Sequence, residues 1–519
     1  MMRHRSGFLS AAPTFAALAL VAGCTVGPDY EKPPAPEADA FKEAPPAPVA
    51  DAGVWQPARP ADGSPRGKWW EVFGDPTLNT LEDQVTAANQ DLKIAAARFQ
   101  QARALVGVSR AAEFPTLSVA PGVASVRQSL HRPYVTSTHT SGDFTLPFDA
   151  TYEVDLWGRI GRSVTAAGEE AQASAADLET ADLSLHAELA IDYFDLRSAD
   201  AQKQLLDDSV KAFADALQLT INRAKGGAAP ESDVAQAQTQ LDVTRVQATD
   251  VTVERAQFEH AIATLTGQAP AKFSLAPAPL TLREPTIPVG LPSGLLERRP
   301  DIAAAERRMA EANEQIGIAQ AAYYPSLVLN SAVGLEGDQI TDWFSWPSRL
   351  WSVGLSLSET LFDGGRREAL SAAARAAYDA NVANYRQTTL DAFQQVEDNL
   401  AALRILQQEA LQQDEAVAAA QNSLQLFTTR YLGGRDTYLQ VITAQTAALS
   451  NQRNRVEIQR RRMEASVLLV KALGGGWSTD DLPPLDKIEK ASAEPTTAAK
   501  ADQRLASPPA TDGTGSRNT

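Results

Sequence analysis

The sequence has few of the residues that carry covalent and metal chemistry. Its 519 residues include one cysteine, Cys24, and five histidines. A single cysteine cannot form an intramolecular disulfide. Only His131 and His139 lie near one another, and without a further ligand a surface pair is a better interpretation than a metal site. Hydrolase, zinc-protease, phosphate-loop and dinucleotide motifs are missing, so the sequence indicates neither an enzyme nor a bound cofactor.

Long apolar runs and excess positive charge are also missing. After residue 23 no apolar stretch reaches the roughly 18 residues of a transmembrane helix. The formal net charge is −17, which makes the chain a poor candidate for nucleic-acid binding.

The first 24 residues have the layout of an export signal. A basic start is followed by an uncharged, mostly apolar run that ends in Ala22 and Gly23, directly before Cys24. The run Leu-Val-Ala-Gly-Cys resembles the bacterial lipobox. That resemblance implies cleavage of residues 1–23 and modification of Cys24 by diacylglycerol and an N-acyl chain. Thr25, in place of the aspartate that favours inner-membrane retention, indicates the outer membrane.

Proline and glycine divide the rest of the chain. Residues 24–74 are predicted to be an extended N-terminal segment, 269–289 a proline-rich connector and 477–519 a disordered tail. By contrast, residues 169–225 and 366–432 contain neither glycine nor proline. They are rich in helix-forming residues and predict helices of about 85 and 100 Å. Apolar residues from Val382 to Leu406 recur at a mean step close to 3.5, as in coiled-coil packing.

The chain also repeats itself. Residues 91–119 align without a gap on residues 301–329, with nine identities in 29 positions. That match has an offset of 210 residues. A second match has an offset of 207, and it aligns residues 217–227 on 424–434. These matches predict a tandem duplication, with repeats at 75–268 and 290–476. Each repeat is expected to contain a helix, two strands, a very long helix, a Gly-Gly turn and a second helix.

Two strands per repeat are predicted, at about 115–127 and 144–157 and at about 325–335 and 350–361. In the second strand Phe144, Phe148 and Tyr152 alternate with polar residues, so one face is apolar. If the apolar face contacts lipid, Asp149, Glu153 and Asp155 line an acidic barrel lumen. Four strands cannot close a membrane barrel, because the smallest have about eight. Several chains must therefore share one barrel.

Seven segments together resemble the outer membrane factors, the TolC-like proteins, over residues 24–480. They are GCTVGPDYEKP, WWEVFGDPTLNTL, YEVDLWGR, GLPSGLLERRPDI, AAYYPSLVLN, LFDGGRR and KALGGGW. The nearest subgroup is the NodT-type lipoproteins of RND efflux systems. The resemblance implies a mixed α and β homotrimer with a shared barrel in the outer membrane and a long periplasmic α-barrel. It also implies a periplasmic adaptor protein and an inner-membrane RND pump as partners, with outer membrane lipids around the barrel.

The resemblance also implies a gate at the Gly-Gly turns, which should lie at the periplasmic tip. Matched by position, Tyr431 and Asp233 keep the family's tyrosine and aspartate, and Leu439 falls where members place an apolar ring. Thr443 departs from a common aspartate, and Asp436 stands where some relatives have a lock arginine. Arg435 precedes it, and we hypothesise that Arg435 pairs with Asp233 or with Asp436 of a neighbouring chain.

Two alternatives remain open at the level of sequence. A conduit of the same fold could serve type I protein secretion, with an ABC transporter in place of the RND pump. A structural coiled-coil lipoprotein of the outer membrane would explain the long helices but not the amphipathic strands. The substrate is not written in the sequence, since the pump usually selects it.

Overall fold

The computed structural model describes residues 25–36, 38, 40–43, 67–127, 129–131, 133, 140–278, 280, 294 and 298–493. Cys24 and His139 lie outside these residues. The first half contains α1 (Pro76–Ala88), α2 (Gln90–Ala111), β1 (Thr116–Val119), β2 (Gly122–Arg127), β3 (Thr140–Val154), α3 (Arg159–Lys225) and α4 (Glu231–Leu265). The second half contains α5 (Pro300–Ala321), β4 (Ser326–Gly337), β5 (Arg349–Ser358), α6 (Arg366–Leu432) and α7 (Tyr438–Ala472), followed by α8 (Leu485–Ala493).

The two longest helices, α3 and α6, have 67 residues each and are therefore about 100 Å long. The length predicted for α6 is confirmed, but α3 begins ten residues earlier than its glycine-free stretch. Its start continues through Gly168, where a side chain would collide with Leu485. Glycine at this position lets the first part of α3 pack closely against Leu485 of α8. In α6 the predicted apolar stripe is largely buried, including Tyr385, Val396, Leu400 and Leu406.

Each long helix reverses at a Gly-Gly pair. Gly227 and Gly434 adopt φ values of 70° and 67°, the left-handed region that glycine enters without strain. The backbone N–H of Ala228 donates to Arg223 and that of Arg435 donates to Arg430, which closes a Schellman-type cap at both turns. The predicted turns are confirmed, and each joins a 67-residue helix to a 35-residue helix.

The strands form one antiparallel sheet in the order β1–β3–β4–β5, with β2 also paired to β3. β1 and β2 continue one register along β3 and are separated only at Ala120 and Pro121. Because proline has no N–H, it interrupts the ladder without shifting it. The sheet therefore has four strand positions, close to those predicted.

From α2 onward the two halves have the same order of elements, apart from the break between β1 and β2, and their equivalent helices have the same lengths. The bounds of α2 recur in α5 at an offset of 210, and those of α3 and α4 recur in α6 and α7 at an offset of 207. Single contacts recur as well. Asn89 donates to the carbonyl of Leu265, and Arg299 donates to that of Ala472 at the equivalent positions.

The described N-terminal residues run extended along the second half. The N–H of Val26 donates to Trp157, at the end of the sheet, while the N–H groups of Lys42 and Glu43 donate to the carboxylate of Glu397, far along α6. Phe41 is buried against α5 and α6. The segment thus lies as a strap over the helices.

The expectation of a disordered tail from residue 477 is wrong for residues 477–493. Helix α8 lies against α2 and α3, with Ile488 buried beside Val106 and Ala171. A composition rich in serine, alanine and charge concealed this helix, because its stability comes from tertiary packing. Residues 494–519 lie outside the described part of the chain.

The helices of the described part are amphipathic or polar. None of them is long and apolar enough to cross a membrane. Nor do the described residues contain a cluster of three or more His, Cys, Asp or Glu side chains suited to a metal ion.

Candidate functional site

Strand register brings the apolar residues of all four strand positions onto one face of the sheet. Directly opposite residues of antiparallel strands share a face. Phe148 lies opposite Val119 and Val333, and Leu329 lies opposite Tyr152 and Leu355. The same face carries Leu117, Val123, Phe144, Leu146, Val154, Leu327, Leu335, Trp351, Val353 and Leu357. The predicted grouping of Phe144, Phe148 and Tyr152 on one face agrees with this register.

This apolar face is left uncovered within one chain. The exposed fraction is 77% for Trp351 and 66% for Leu355 at one edge of the face, and 79% for Leu117 at the other, while the residues of β3 between them are mostly half-buried. A contiguous exposed apolar surface of this kind marks a membrane or interaction site. β4 has 12 residues and β3 has 15, which suits tilted strands that cross a bilayer.

Aromatic residues mark both ends of the apolar face. At the helix end, Trp157 stacks on Tyr324 with ring centroids 4.7 Å apart, and Phe114 and Phe362 are exposed. At the loop end, Phe344 and Trp346 are exposed. Tryptophan and tyrosine favour membrane–water interfaces, and aromatic girdles flank the apolar band of outer membrane barrels.

The opposite face carries the predicted lumen carboxylates, which differ in their surroundings. Asp149 lies opposite Ser118 and Ala332 and makes no ion pair with a described residue. Glu153 is held by both the Nε and Nη2 atoms of Arg159, the latter at 2.8 Å. The structure therefore places Asp149 and Glu153 on one face, but only Asp149 as an unpaired charge.

Asp155 lies beyond the end of β3. Its carboxylate accepts the N–H of Gly161 at 2.8 Å and so caps the first turn of α3. Sequence reasoning assigned Asp155 to the lumen because it extended the strand to residue 157. It also missed Arg159, although an acid six residues before a base at a strand–helix junction could have suggested the pair.

At the Gly-Gly tip, the structure brings Tyr431 and Asp233 together, a contact that the sequence did not predict. The hydroxyl of Tyr431 donates to Asp233 Oδ2 at 3.4 Å, and this contact joins the two helical hairpins of one chain. Arg223 lies over the Tyr431 ring, 4.8 Å from its centroid, and Tyr438 packs beside it. Burial raises the pKa of Tyr431. Sequence reasoning missed Arg223 and Tyr438.

The remaining tip residues face solvent or their own helix. Arg435 is exposed and makes no ion pair with a described residue, so its hypothesised pairing with Asp233 is not present within one chain. Asp436 instead lies against Arg430. Leu439 and Thr443 are exposed, one turn apart on α7, with the Thr443 hydroxyl donating to the Leu439 carbonyl at 2.9 Å.

An exposed apolar sheet face between aromatic ends, continued by helices of about 100 Å, defines a channel protein of the outer membrane. The family model described as "Outer membrane efflux protein" matches residues 81–268 and 291–475. The chain belongs to this family. It is an outer membrane efflux channel with a TolC-like fold.

Curated relatives and solved structures agree with this assignment. The chain is 31% identical over 472 residues to the toluene efflux pump outer membrane protein TtgF of Pseudomonas putida, covering 90% of this chain and 96% of that protein. It is 31% identical over 427 residues to the pyoverdine export outer membrane protein OpmQ of Pseudomonas aeruginosa, covering 81% and 90% of the two chains. The outer-membrane channel OprN is similar in structure, with a TM-score of 0.79, 31% identity, and coverage of 88% of this chain and 100% of that one.

Proposed function

We propose that three copies of this chain form one conduit that carries small molecules out of the cell. Their sheets would close a shared barrel in the outer membrane, and their helices would extend it across the periplasm. An inner-membrane RND transporter would supply the energy through a periplasmic adaptor protein. The observation that carries this proposal is the exposed apolar face of a sheet whose two edge strands lack a second partner among the described residues.

The physical requirement behind the oligomer is backbone pairing. In hydrocarbon every N–H and C=O must be satisfied, so a spanning sheet must close. Four strand positions fall short of the roughly eight of the smallest barrels, whereas three copies provide about twelve. We also propose that the halves arose by tandem duplication, which the recurring offsets of 210 and 207 support.

Two relatives are named for small organic cargo: toluene for TtgF and pyoverdine for OpmQ. We propose the same class of cargo for this chain. A conduit for type I protein secretion is the alternative of the same fold. A purely structural coiled-coil lipoprotein is disfavoured, because it gives the apolar sheet face no role.

Complementation tests the proposed function. A Gram-negative strain without its own outer membrane channel is given this chain together with an RND pump and adaptor. Ethidium export and resistance should be restored by the three proteins together and by no pair of them. Restored secretion of a protein with an ABC exporter, without drug export, would favour the alternative conduit.

Lipid anchoring at Cys24 is the first site prediction. The described part of the chain begins at Thr25, which lies close to Gly158 beside Trp157, at the aromatic end of the sheet. Acyl chains there would enter the adjacent leaflet. Cys24→Ser should abolish metabolic palmitate labelling while preserving the helical circular dichroism signal. A mature N-terminus away from Cys24 in mass spectrometry would contradict it.

A second prediction concerns the lumen. Three unpaired Asp149 carboxylates should attract cations, and salt should weaken the effect. Asp149→Asn should lower the cation preference of single channels in planar bilayers at low salt. Glu153→Gln is the matched comparison: it also removes one negative charge per chain, by leaving the Arg159 charge without its partner, and should shift selectivity toward anions by a similar amount. Unchanged selectivity in both variants would rule out the inward orientation of this face.

The tip provides a third prediction. We propose that the Tyr431–Asp233 contact holds the two hairpins of each chain and that Arg435 pairs with Asp436 of a neighbouring chain. Asp233→Ala with Arg435→Ala should raise single-channel conductance, because both contacts would be lost. An exposed pair contributes only about 0–1 kcal/mol, so Arg435→Ala alone should have a small effect. If the double variant conducts like wild type, closure depends on Leu439 and helix packing.

A further inference from the structure

Charge is segregated between the two faces of the sheet. Strand register assigns each paired residue either to the apolar face or to the opposite face. Every charged residue paired on the opposite face is acidic: Asp143, Asp149, Glu153 and Glu336. The apolar face has two charged residues among its paired positions, Arg127 and Arg349, and both are basic. A chain with 64 acidic and 47 basic residues therefore places no acid among the paired positions of this face.

Both arginines lie at the loop end of the sheet. Arg349 is the first residue of β5 and Arg127 is the last residue of β2, so they lie on the two edge strands. Arg349 precedes Leu355 by six residues, or about 20 Å along the strand. At a tilt of about 40° this distance is about 15 Å of height, which exceeds half of the ~25 Å apolar band of an outer membrane barrel. Arg349 is therefore expected at the level of lipid head groups, beyond the acyl chains.

Two exposed tryptophans lie beside Arg349. Its guanidinium lies over the ring of Trp346, 4.3 Å from the ring centroid. Trp351 is the next residue of β5 on the apolar face, and both tryptophans are 77% exposed. A guanidinium stacked on an aromatic ring keeps its in-plane N–H groups available to an acceptor. Tryptophan itself favours the head-group level of a membrane.

The loop between β4 and β5 is held in place by hydrogen bonds. The indole N–H of Trp343 donates to the carbonyl of Phe144 at 2.9 Å, and the hydroxyl of Ser348 donates to the carbonyl of Asp342 at 2.7 Å. A 3-10 turn over Trp346–Ser348 leads directly into β5. The stacked tryptophan and arginine are thus preorganised, which lowers the entropic cost of binding a ligand.

We propose that the cluster of Trp346, Arg349 and Trp351 binds lipid A, the phosphorylated glycolipid of the outer leaflet. Arg349 donates two N–H groups to one lipid phosphate, and the tryptophans contact the sugar and the upper acyl chains. Paired donation to phosphate is the geometry that a guanidinium favours, and basic residues beside membrane spans recognise anionic head groups. Arg127 provides a second cation at the same end of the other edge strand. This inference rests on the proposed orientation, with the helices in the periplasm.

The charges of this face are available for such a ligand. Neither Arg349 nor Arg127 makes an ion pair with a described residue, and both side chains are exposed. The nearest acids of the strands, Asp143 and Glu336, lie on the opposite face. An anionic head group therefore meets positive charge alone on the outer rim of the apolar face.

Lipid binding to the purified full-length protein tests the cluster. Native mass spectrometry counts the adducts of three added lipids: diphosphoryl lipid A, the same glycolipid without its phosphates, and phosphatidylglycerol. The wild-type protein should bind diphosphoryl lipid A most tightly. Arg349→Gln should weaken that binding about tenfold, because hydrogen bonds between charged groups are among the strong ones. Trp346→Ala should weaken it as well, because the guanidinium loses its support.

Two further arginine variants serve as controls. Arg349→Lys keeps the charge but not the paired donors, so its affinity should lie between those of wild type and Arg349→Gln. Arg366→Gln removes an exposed arginine at the helix end of the sheet and should leave lipid A binding unchanged. All of these variants should still form heat-resistant trimers.

Two results of the binding experiment would contradict the inference. Equal affinity of wild type and Arg349→Gln for diphosphoryl lipid A would overturn the site. Equal affinity of the wild-type protein for diphosphoryl lipid A and for either of the other two lipids would overturn the assignment of the ligand.

A labelling experiment separates this inference from the proposed function. Thr341→Cys, at an exposed position of the same loop, should react with a membrane-impermeant maleimide on intact cells more than the wild-type chain does. Labelling only after the cells are broken would place the loop in the periplasm and refute the proposed orientation. Labelling of intact cells together with unchanged lipid A binding in Arg349→Gln would overturn the lipid site alone and leave the proposed channel standing.

Discussion

Leu355→Arg is expected to abolish insertion into the outer membrane and formation of heat-resistant trimers. Leu355 lies near the middle of the apolar part of β5, with Leu329 directly opposite on β4. A basic residue on the lipid face at the bilayer midplane costs about 2–4 kcal/mol. Three copies in one barrel would raise this cost to about 6–12 kcal/mol. Membrane fractionation and gels run with and without boiling measure the effect.

Ser356→Arg is the matched control. It introduces the same side chain one residue later, on the opposite face and beside Val328. If that face is turned to water, the variant should insert and form trimers, and its channels should become less selective for cations. Insertion of Leu355→Arg together with loss of Ser356→Arg would show that the two faces are reversed.

The second large effect is expected at a buried ion pair between the long helix α3 and helix α1. His186 is 1% exposed, and its Nδ1 lies 2.6 Å from Glu82 Oε2, while its ring stacks on Trp70. Removing one partner of a buried pair typically costs about 3–5 kcal/mol, because the other charge is left without compensation. His186→Ala should therefore lower the thermal stability of the detergent-solubilised protein strongly.

Replacing both partners distinguishes the contribution of the ion pair to stability from that of side-chain packing. Glu82→Met with His186→Phe fills the site with apolar side chains and keeps a ring against Trp70. Stability should recover in this double variant, since buried ion pairs are often no better than apolar packing. A double variant as unstable as His186→Ala would mean that Glu82 and His186 have separate roles.

The same pair makes stability depend on pH. Burial lowers the pKa of His186, but hydrogen bonds to Asp182 and Glu82 and their charges outweigh it and raise this pKa from 6.5 to about 9. Burial raises the pKa of Glu82 to about 7. Both groups hold protons more tightly in the folded chain, so stability falls as pH rises. The histidine contribution is complete below pH 6.5 and is lost as pH rises through about 9.

Unfolding temperatures between pH 6 and pH 9.5 measure this contribution. The decline above pH 6.5 should be smaller in the Glu82→Met, His186→Phe double variant, which lacks both titrating groups, than in wild type. His260→Gln, at an exposed histidine of α4, should keep the wild-type decline. An identical decline in all three proteins would assign it to other groups.

Local patterns were enough to predict the elements and their repetition. Helix α6 has the predicted length because its residues are mostly good helix formers and no glycine or proline interrupts them. The Gly-Gly turns follow from the left-handed conformation that Gly227 and Gly434 adopt. Strand faces follow from the two-residue alternation, and the family follows from seven short segments. These features depend on neighbours in sequence, so the sequence by itself determined them.

Contacts between distant residues were decided only by the tertiary structure. Composition could not show that α8 packs on α2 and α3, that Arg159 neutralises Glu153, or that Asp233 faces Tyr431 rather than Arg435. Strand register, too, is set by pairing across 173 to 193 residues between β3 and β4, from Val154 opposite Leu327 to Phe144 opposite Gly337. The physical reason is the same in each case: a side chain's charge and type are local, but its partner is fixed by the packing of helices and strands that lie far apart in the sequence.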